Sequence, residues 1–217
     1  MQLLQSLMLM PLADWLAIAW FLAVWVGYAV FARRRAERSG SLLATTNHYR
    51  RLWMLQTTGR ENRVVDGVVV QNLSTSPSFF ASTTILIIGG LLALLGTSDK
   101  ATEFVREIPF AARTSAFVFD LKLITLLAIF VYAFFRFTWS MRQYTFGALL
   151  IASMPDAKVF ERGEAQREPY ADRAAKVVGL AAETFNDGLR AYYMAFAAVA
   201  WFFSPWAFMA GTAGVVF

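Results

Sequence analysis

The sequence predicts an all-α integral membrane protein with four transmembrane helices, long helical extensions on the cytoplasmic side and both termini outside. Four apolar stretches carry that prediction, at about 12–32, 78–96, 114–135 and 189–211. Each is about 20 residues, the length an α-helix needs to cross ~30 Å of hydrocarbon. Composition agrees: apolar residue types make up 58% of the chain, with 20 Phe, seven Trp and seven Tyr, against roughly 45–50% apolar in soluble domains. Charge then orients the spans. Between Arg33 and Ser76 there are eight basic residues and three acids, and between Arg136 and Arg190 eight and seven. Only three basic residues, balanced by three acids, lie between Thr97 and Arg113. Lysine and arginine concentrate in cytoplasmic loops, so the connections 33–76 and 136–188 are assigned to the cytoplasm. At 217 residues the chain has room for a single four-span domain and its connections.

The same inventory excludes several classes of function. There is no cysteine and only one histidine, His48. Disulfides, thiolate nucleophiles and histidine- or cysteine-based metal sites are therefore excluded, as is a haem held by two histidines of one chain. P-loop and dinucleotide fingerprints are absent. No cofactor is expected, and no enzymatic activity. The net charge of +5 is a topology signal first and a means of attracting anionic lipid headgroups second; no nucleic-acid partner is expected.

The first span opens after Pro11, with Asp14 near its outer end and Trp15, Trp20 and Trp25 along it. Met1 to Met10 carries no basic residue, whereas Arg33, Arg34 and Arg35 trail the span, which favours an uncleaved anchor with its N-terminus outside. Trp20 and Trp25 lie too deep to be interfacial anchors and are expected to pack on neighbouring helices. In the first connection Leu42, Leu43, Tyr49, Leu52, Trp53 and Leu55 form an apolar face that Val64, Val65, Val68, Val69 and Leu73 continue. Arg50, Arg51, Arg60 and Arg63 supply its polar complement, a candidate surface, with Trp53, for lipid or a partner. Two arrangements fit: one amphipathic helix at the headgroups, or two short helices broken near Gly59.

Ser76 and Pro77 read as a helix start, capping residue followed by a first-turn proline. The second span then carries Ser78, Ser82, Thr83 and Thr84, followed by Gly89, Gly90, Ala93 and Gly96. Gly89 and Ala93 are a small-x-x-x-small pair that permits close helix approach. Pro109 and Phe110 are expected to dip onto the interface between spans 2 and 3. The third span continues its helical pattern past Arg136 to Met154, where Pro155 ends it, with Gly147 a candidate kink. Asp156 to Pro169 reads as a charged, mobile stretch. From Tyr170 a second long stripe runs into the fourth span without a breaker until Pro205.

Asp120 and Lys122, inside the third span, are its costly residues, because charge in hydrocarbon must find partners. They lie about 200° apart around the helix and do not face one another. Three readings are open. Lys122 snorkels outward while Asp120 accepts from hydroxyls; Lys122 pairs with Asp14 of the first span; or both, with Ser82, Thr83 and Thr84, line an ion or proton pathway. Aromatic residues surround the third and fourth spans on several faces (Phe130, Tyr132, Phe134, Phe135, Phe137 and Trp139; Trp201, Phe202, Phe203 and Trp206), which suggests more than one protein neighbour in addition to lipid.

Several runs resemble one family, the membrane proteins catalogued as domain of unknown function 599. They are Tyr49-Arg50-Arg51-Leu52-Trp53-Met54; Asn72 to Thr84 with its Ser-Phe-Phe-Ala-Ser-Thr core; Asp120-Leu121-Lys122-Leu123; Tyr132 through Ser140; and Arg190-Ala191-Tyr192-Tyr193. The resemblance implies a multi-span membrane protein and assigns no catalytic residue. The expectation is a non-enzymatic protein of a bacterial inner membrane, acting as a homo-oligomer or as an accessory subunit among other membrane proteins. The alternative is a small ion or solute channel or transporter built around Asp120, Lys122 and the Ser/Thr face of span 2.

Overall fold

The computed structural model describes residues 10–36, 42–97 and 115–216 and is all-helical there, with no strand among the described residues. Seven α-helices follow in order: α1 Leu12–Ala36, α2 Leu42–Thr57, α3 Val64–Gly96, α4 Ala116–Ala152, α5 Ala157–Glu161, α6 Arg167–Val199 and α7 Pro205–Val216, with a 3-10 turn at Ala200–Phe202 before the last. Three of them, α1 through Leu12–Ala32, α3 and α4, are long and apolar enough to cross a membrane. The segment around Pro109 and Phe110 lies outside the described residues.

Several boundaries differ from the sequence reading, each for a local reason. Helix α3 does not begin at Ser76 and Pro77; it starts at Val64 and carries Pro77 in its interior. The start signal is Asn62, whose side-chain oxygen accepts the Val64 N–H at 3.0 Å, a capping contact for an otherwise orphaned donor. Proline removes one helical hydrogen bond, which a helix held by tertiary packing tolerates; Pro77 is buried. Of the two arrangements open for the first connection, the break near Gly59 is the one found: α2 stops at Thr57 and the chain turns at Thr58 and Gly59. Asp156 to Pro169 is not a mobile stretch. It holds α5, closed by Gly163 at φ +72°, with Gly163 N–H donating to Phe160 O and Glu164 N–H to Val159 O. That bond pair is a Schellman cap, which needs the left-handed residue that glycine supplies most readily.

The predicted fourth helix, 189–211, is interrupted: α6 ends at Val199 and α7 restarts at Pro205. Ser204 Oγ accepts the Ala207 N–H at 2.9 Å and Pro205 occupies the first turn, so here the Ser-Pro pair does start a helix. Helix α7 folds back along α6, since a side chain at Gly211 would lie 3.7 Å from Ala197 Cα and 3.8 Å from Ala200 Cβ. It is 12 residues, or about 18 Å, too short to cross hydrocarbon by itself.

By compactness the chain forms two units, the described parts of Met1–Ala32, Thr84–Ala133 and Leu189–Phe217, and of Arg33–Thr83 and Phe134–Gly188. In the first, Trp201 and Phe208 stack at 5.1 Å, Phe208 meets Phe21 at 5.0 Å, and Trp25 meets Tyr132 edge-on at 5.8 Å. Trp20 donates its indole N–H to Met209 O at 3.2 Å, so both deep tryptophans of α1 pack on neighbours.

In the second unit Met54, Val70, Tyr144, Ile151, Ala174 and Val178 anchor the core. Phe80, Phe137 and Phe185 form an aromatic triangle with centroids 5.3–5.7 Å apart. Glycines make this packing possible. A Cβ at Gly147 would come within 2.9 Å of Val178 Cγ2, so that glycine marks a close helix approach, and α4 is continuous through it. A Cβ at Gly188 would lie 2.4 Å from the Phe137 ring.

Gly188→Ala is expected to destabilise the purified protein by about 1–3 kcal/mol, the usual cost of overpacking a filled core. Gly67→Ala, where a Cβ meets nothing within 4 Å, should hold or raise stability, since alanine is favoured in a helix by up to ~1 kcal/mol. Thermal unfolding of both variants in detergent checks the pair.

Candidate functional site

The intramembrane charges read from the sequence converge on a residue that reading did not single out as a ligand, Trp201. Helix α6 gives way to the 3-10 turn just before this residue, and terminal carbonyls of a helix lack intrahelical partners. Trp201 O, in the 3-10 turn, likewise has no α-helical donor, since the residue four on is Pro205. Lys122 Nζ donates to it at 2.8 Å, and the helix C-terminus favours a cation. The same ammonium lies 5.5 Å from the Trp201 ring centroid and 5.9 Å from that of Phe202, within cation–π range. On the other side of the residue, Trp201 donates its indole N–H to Asp14 Oδ1 at 2.6 Å. Lys122 is 2% exposed, Asp14 3% and Trp201 0%.

Lys122 therefore does not snorkel outward; its stem turns inward to a backbone acceptor. The anticipated meeting of Lys122 with Asp14 takes the form of a bridge, with the two charges on opposite polar groups of Trp201, and Asp14 is the charge that acts on the ammonium. Such an arrangement offsets two buried charges by hydrogen bonds as well as by Coulomb attraction.

Asp120 is not part of this cluster. It is half-buried, and its Oδ1 has no hydrogen-bond partner among the described residues. Ser82, Thr83 and Thr84, neighbours in sequence, point in three directions. Ser82 is exposed, Thr83 donates to Phe79 O at 3.0 Å, and buried Thr84 shares a hydrogen bond with Tyr192 Oη at 2.6 Å.

The second unit has its own polar centre, also missed from sequence. Asp66, 1% exposed, presents Oδ1 to three donors: Trp53 Nε1 at 2.7 Å, Thr57 Oγ1 at 3.1 Å and Arg60 Nη1 at 2.5 Å. The spacing that places Trp53 and Thr57 one turn apart on α2 and Arg60 just beyond it aims all three at the start of α3. Arg63 caps the end of α4, donating to Met154 O at 2.6 Å and Pro155 O at 2.5 Å, a favourable place for a cation. Arg51 pairs with Asp172 at 2.6 Å, and Arg50 donates to Asn47 Oδ1 at 2.6 Å. The five residues read as a lipid or partner surface (Arg50, Arg51, Trp53, Arg60 and Arg63) thus each make a contact within the unit, while the Arg51 and Arg60 side chains stay 43% and 40% exposed. His48 is exposed, and no cluster of three or more metal-ligating side chains occurs among the described residues.

An all-helical chain with three membrane-length helices and an internally compensated charge cluster is the class these observations define. Residues 16–217 match the family described as protein of unknown function, DUF599, and the chain belongs to that family. No curated protein and no solved structure matches it.

Asp14→Ala should cost about 3 kcal/mol, because it leaves a buried ammonium without its counter-charge. In the Asp14→Ala/Lys122→Met double variant the loss should be smaller than the sum of the two single losses by more than ~0.5 kcal/mol. Denaturant unfolding in detergent measures this cycle, and strict additivity would show the two charges to be independent. Asp66→Ala should cost a similar ~3 kcal/mol through the orphaned Trp53 and Arg60 donors, visible as a lower thermal midpoint with blue-shifted or broadened Trp53 emission.

Proposed function

We propose that this protein is a non-enzymatic membrane protein of a bacterial inner membrane that works as a homo-oligomer. The observation that carries the reading is the uncovered face of α3. Gly89 and Gly90 are exposed, and a Cβ at either, or at Gly96, would meet nothing within 4 Å. Small residues at four-residue spacing let helix backbones approach closely in a bilayer, where dispersion contacts drive association. Among the described residues no helix uses that slot, although Gly89 and Ala93 have the spacing for it.

Burial supports the same reading. Only 11% of the most apolar window of α1 and 17% of that of α3 is buried, against 39% in α4. Two of the three membrane-length helices thus keep most of their apolar surface for lipid and for other subunits. The charges add a second line of support: Lys122, Asp14 and the arginines of the second unit are engaged with their own chain, an arrangement suited to scaffolding rather than to a conducting path.

In this proposal the chain makes four passes with its N-terminus outside. The arginine-rich connections face the cytoplasm, and the fourth pass ends at Trp201, after which α7 turns back. Both α3 and α4, at 33 and 37 residues, exceed the ~20 residues that hydrocarbon requires, so each extends beyond it.

Native mass spectrometry of particles extracted gently from membranes tests the proposal. A multiple of 24.3 kDa is expected, and Gly89→Leu/Ala93→Leu should shift it to the single-chain mass without lowering the thermal midpoint. A single-chain mass for the wild type would sink the reading, and additional chains in stoichiometric amount would replace it with an accessory-subunit role.

A further inference from the structure

Four contacts within the first unit register α6 and α7 against α1. Near the start of α1, Asp14 accepts the Trp201 indole N–H at 2.6 Å. Further along, Trp20 donates to Met209 O at 3.2 Å and Phe21 meets Phe208 at 5.0 Å. Further still, the Arg190 guanidinium lies 5.7 Å from the Tyr28 ring centroid. Passing down α1, α6 is therefore met in reverse, Trp201 before Arg190. Helix α7 is met in chain order, after the turn at Trp201. Helix α6 is antiparallel to α1, and α7 runs in the same direction as α1.

The same contacts set the depth that α7 reaches. At 1.5 Å per residue, Phe21 lies about 10 Å beyond Asp14 along α1 and Tyr28 about 21 Å beyond it. From Phe208 to Val216, α7 descends a further ~12 Å, which brings its end to about the level of Tyr28. That is some two thirds of ~30 Å of hydrocarbon. Trp15 near the start of α1 and Trp206 near the start of α7 are both exposed, as tryptophans at a membrane boundary are. A helix lying flat at that boundary would need a charged or polar face. Helix α7 has no charged residue, and its one hydroxyl, on buried Thr212, donates to Phe208 O at 2.7 Å.

We infer that α7 is a re-entrant helix: it dips from the outer boundary into the bilayer beside α1, and the chain beyond Val216 emerges on the side where α1 ends. Its backbone is satisfied by its own helix, the condition for lying at that depth. Gly211, where a Cβ would lie 3.7 Å from Ala197 Cα, lets it pack closely on α6. The sequence reading places both termini outside because it runs the fourth span on to residue 211. With the arginine-rich connections in the cytoplasm, the segment after α7 is instead presented to cytoplasmic partners. The inference needs only that α1 crosses the membrane. It stands apart from the oligomeric reading, since all four contacts come from one chain.

The chain has no cysteine, so single cysteines in the full-length protein report their side of the membrane without background. Leu12→Cys marks the start of α1, Gln56→Cys the first arginine-rich connection and Phe203→Cys the turn before α7; all three native residues are exposed. A fourth cysteine ends a flexible Gly/Ser extension of about ten residues added after Phe217, long enough to cover the remaining ~9 Å. Each is treated with a membrane-impermeant maleimide in spheroplasts and in inside-out vesicles. Leu12→Cys and Phe203→Cys are expected to react almost fully in spheroplasts and at background in inside-out vesicles. Gln56→Cys and the extension should show the opposite pattern.

If all four patterns are exchanged between the two preparations, the extension still follows Gln56→Cys; the inference stands and only the cytoplasmic assignment falls. An extension that reacts together with Leu12→Cys and Phe203→Cys, or equally from both sides, would overturn it. So would Phe203→Cys reacting on the side of Gln56→Cys, because α6 would then not reach the outer boundary. Leu12→Cys and Gln56→Cys reacting from one and the same side would remove the crossing of α1 and the inference with it.

Discussion

A lysine ammonium enclosed by apolar side chains must be given an acceptor, and in this protein the acceptor is a carbonyl left without a helical donor by a proline four residues on, beside a helix break. The residue four on from Trp201 is Pro205, which has no N–H, so Trp201 O has no α-helical donor and is left for Lys122. Helix α6 also ends before it, at Val199. The break also sets the direction of α7 and lets the Trp201 ring stack on Phe208, while the indole N–H reaches Asp14. One residue thereby supplies an acceptor to the cation, a donor to the carboxylate and a ring to the fold-back hairpin. The position of α1, the turn after α6 and the packing of α7 all follow from satisfying two charges in a place that disfavours them.

The second unit solves its charge problem differently. Four of its arginines find partners in the same unit: Arg51 and Arg60 pair with carboxylates, Arg50 with an amide and Arg63 with the carbonyls just past α4. Asp66 collects the α2 donors at the first turn of α3, where negative charge is favoured by the helix dipole. Arg63 does the converse at the end of α4. These contacts tie helix ends to one another, while the apolar interior between them is packed around glycine contacts at Gly147 and Gly188.

Much of the architecture was legible because helix length and charge placement are strong signals. The first helix, the extension of the third apolar stretch to about residue 152, the stop at Pro155 and the helix from about residue 170 all follow from periodicity and breakers in the sequence. The Ser-Pro pairs show where local reading fails. Ser76-Pro77 and Ser204-Pro205 carry the same capping chemistry, yet α3 runs through the first and α7 starts at the second. The difference lies in what precedes them: Asn62 already caps α3, whereas the 3-10 turn at Ala200–Phe202 has ended α6 before Ser204.

The candidate sites divide along the same line. The sequence by itself marked Asp120 and Lys122 as costly residues in need of partners and offered Asp14 to Lys122, because an ionisable side chain in an apolar stretch is a one-residue fact. It also determined the helical class, through stretches of length and hydropathy that no other structure satisfies in hydrocarbon. Only the tertiary structure decided that Trp201 joins the two charges and that Asp66 gathers Trp53, Thr57 and Arg60. It alone decided that Arg50, Arg51, Arg60 and Arg63 find partners within the unit and that Gly89 and Ala93 meet no helix among the described residues. Those outcomes depend on which faces residues far apart in sequence bring together, and that is not encoded in the spacing of any one segment.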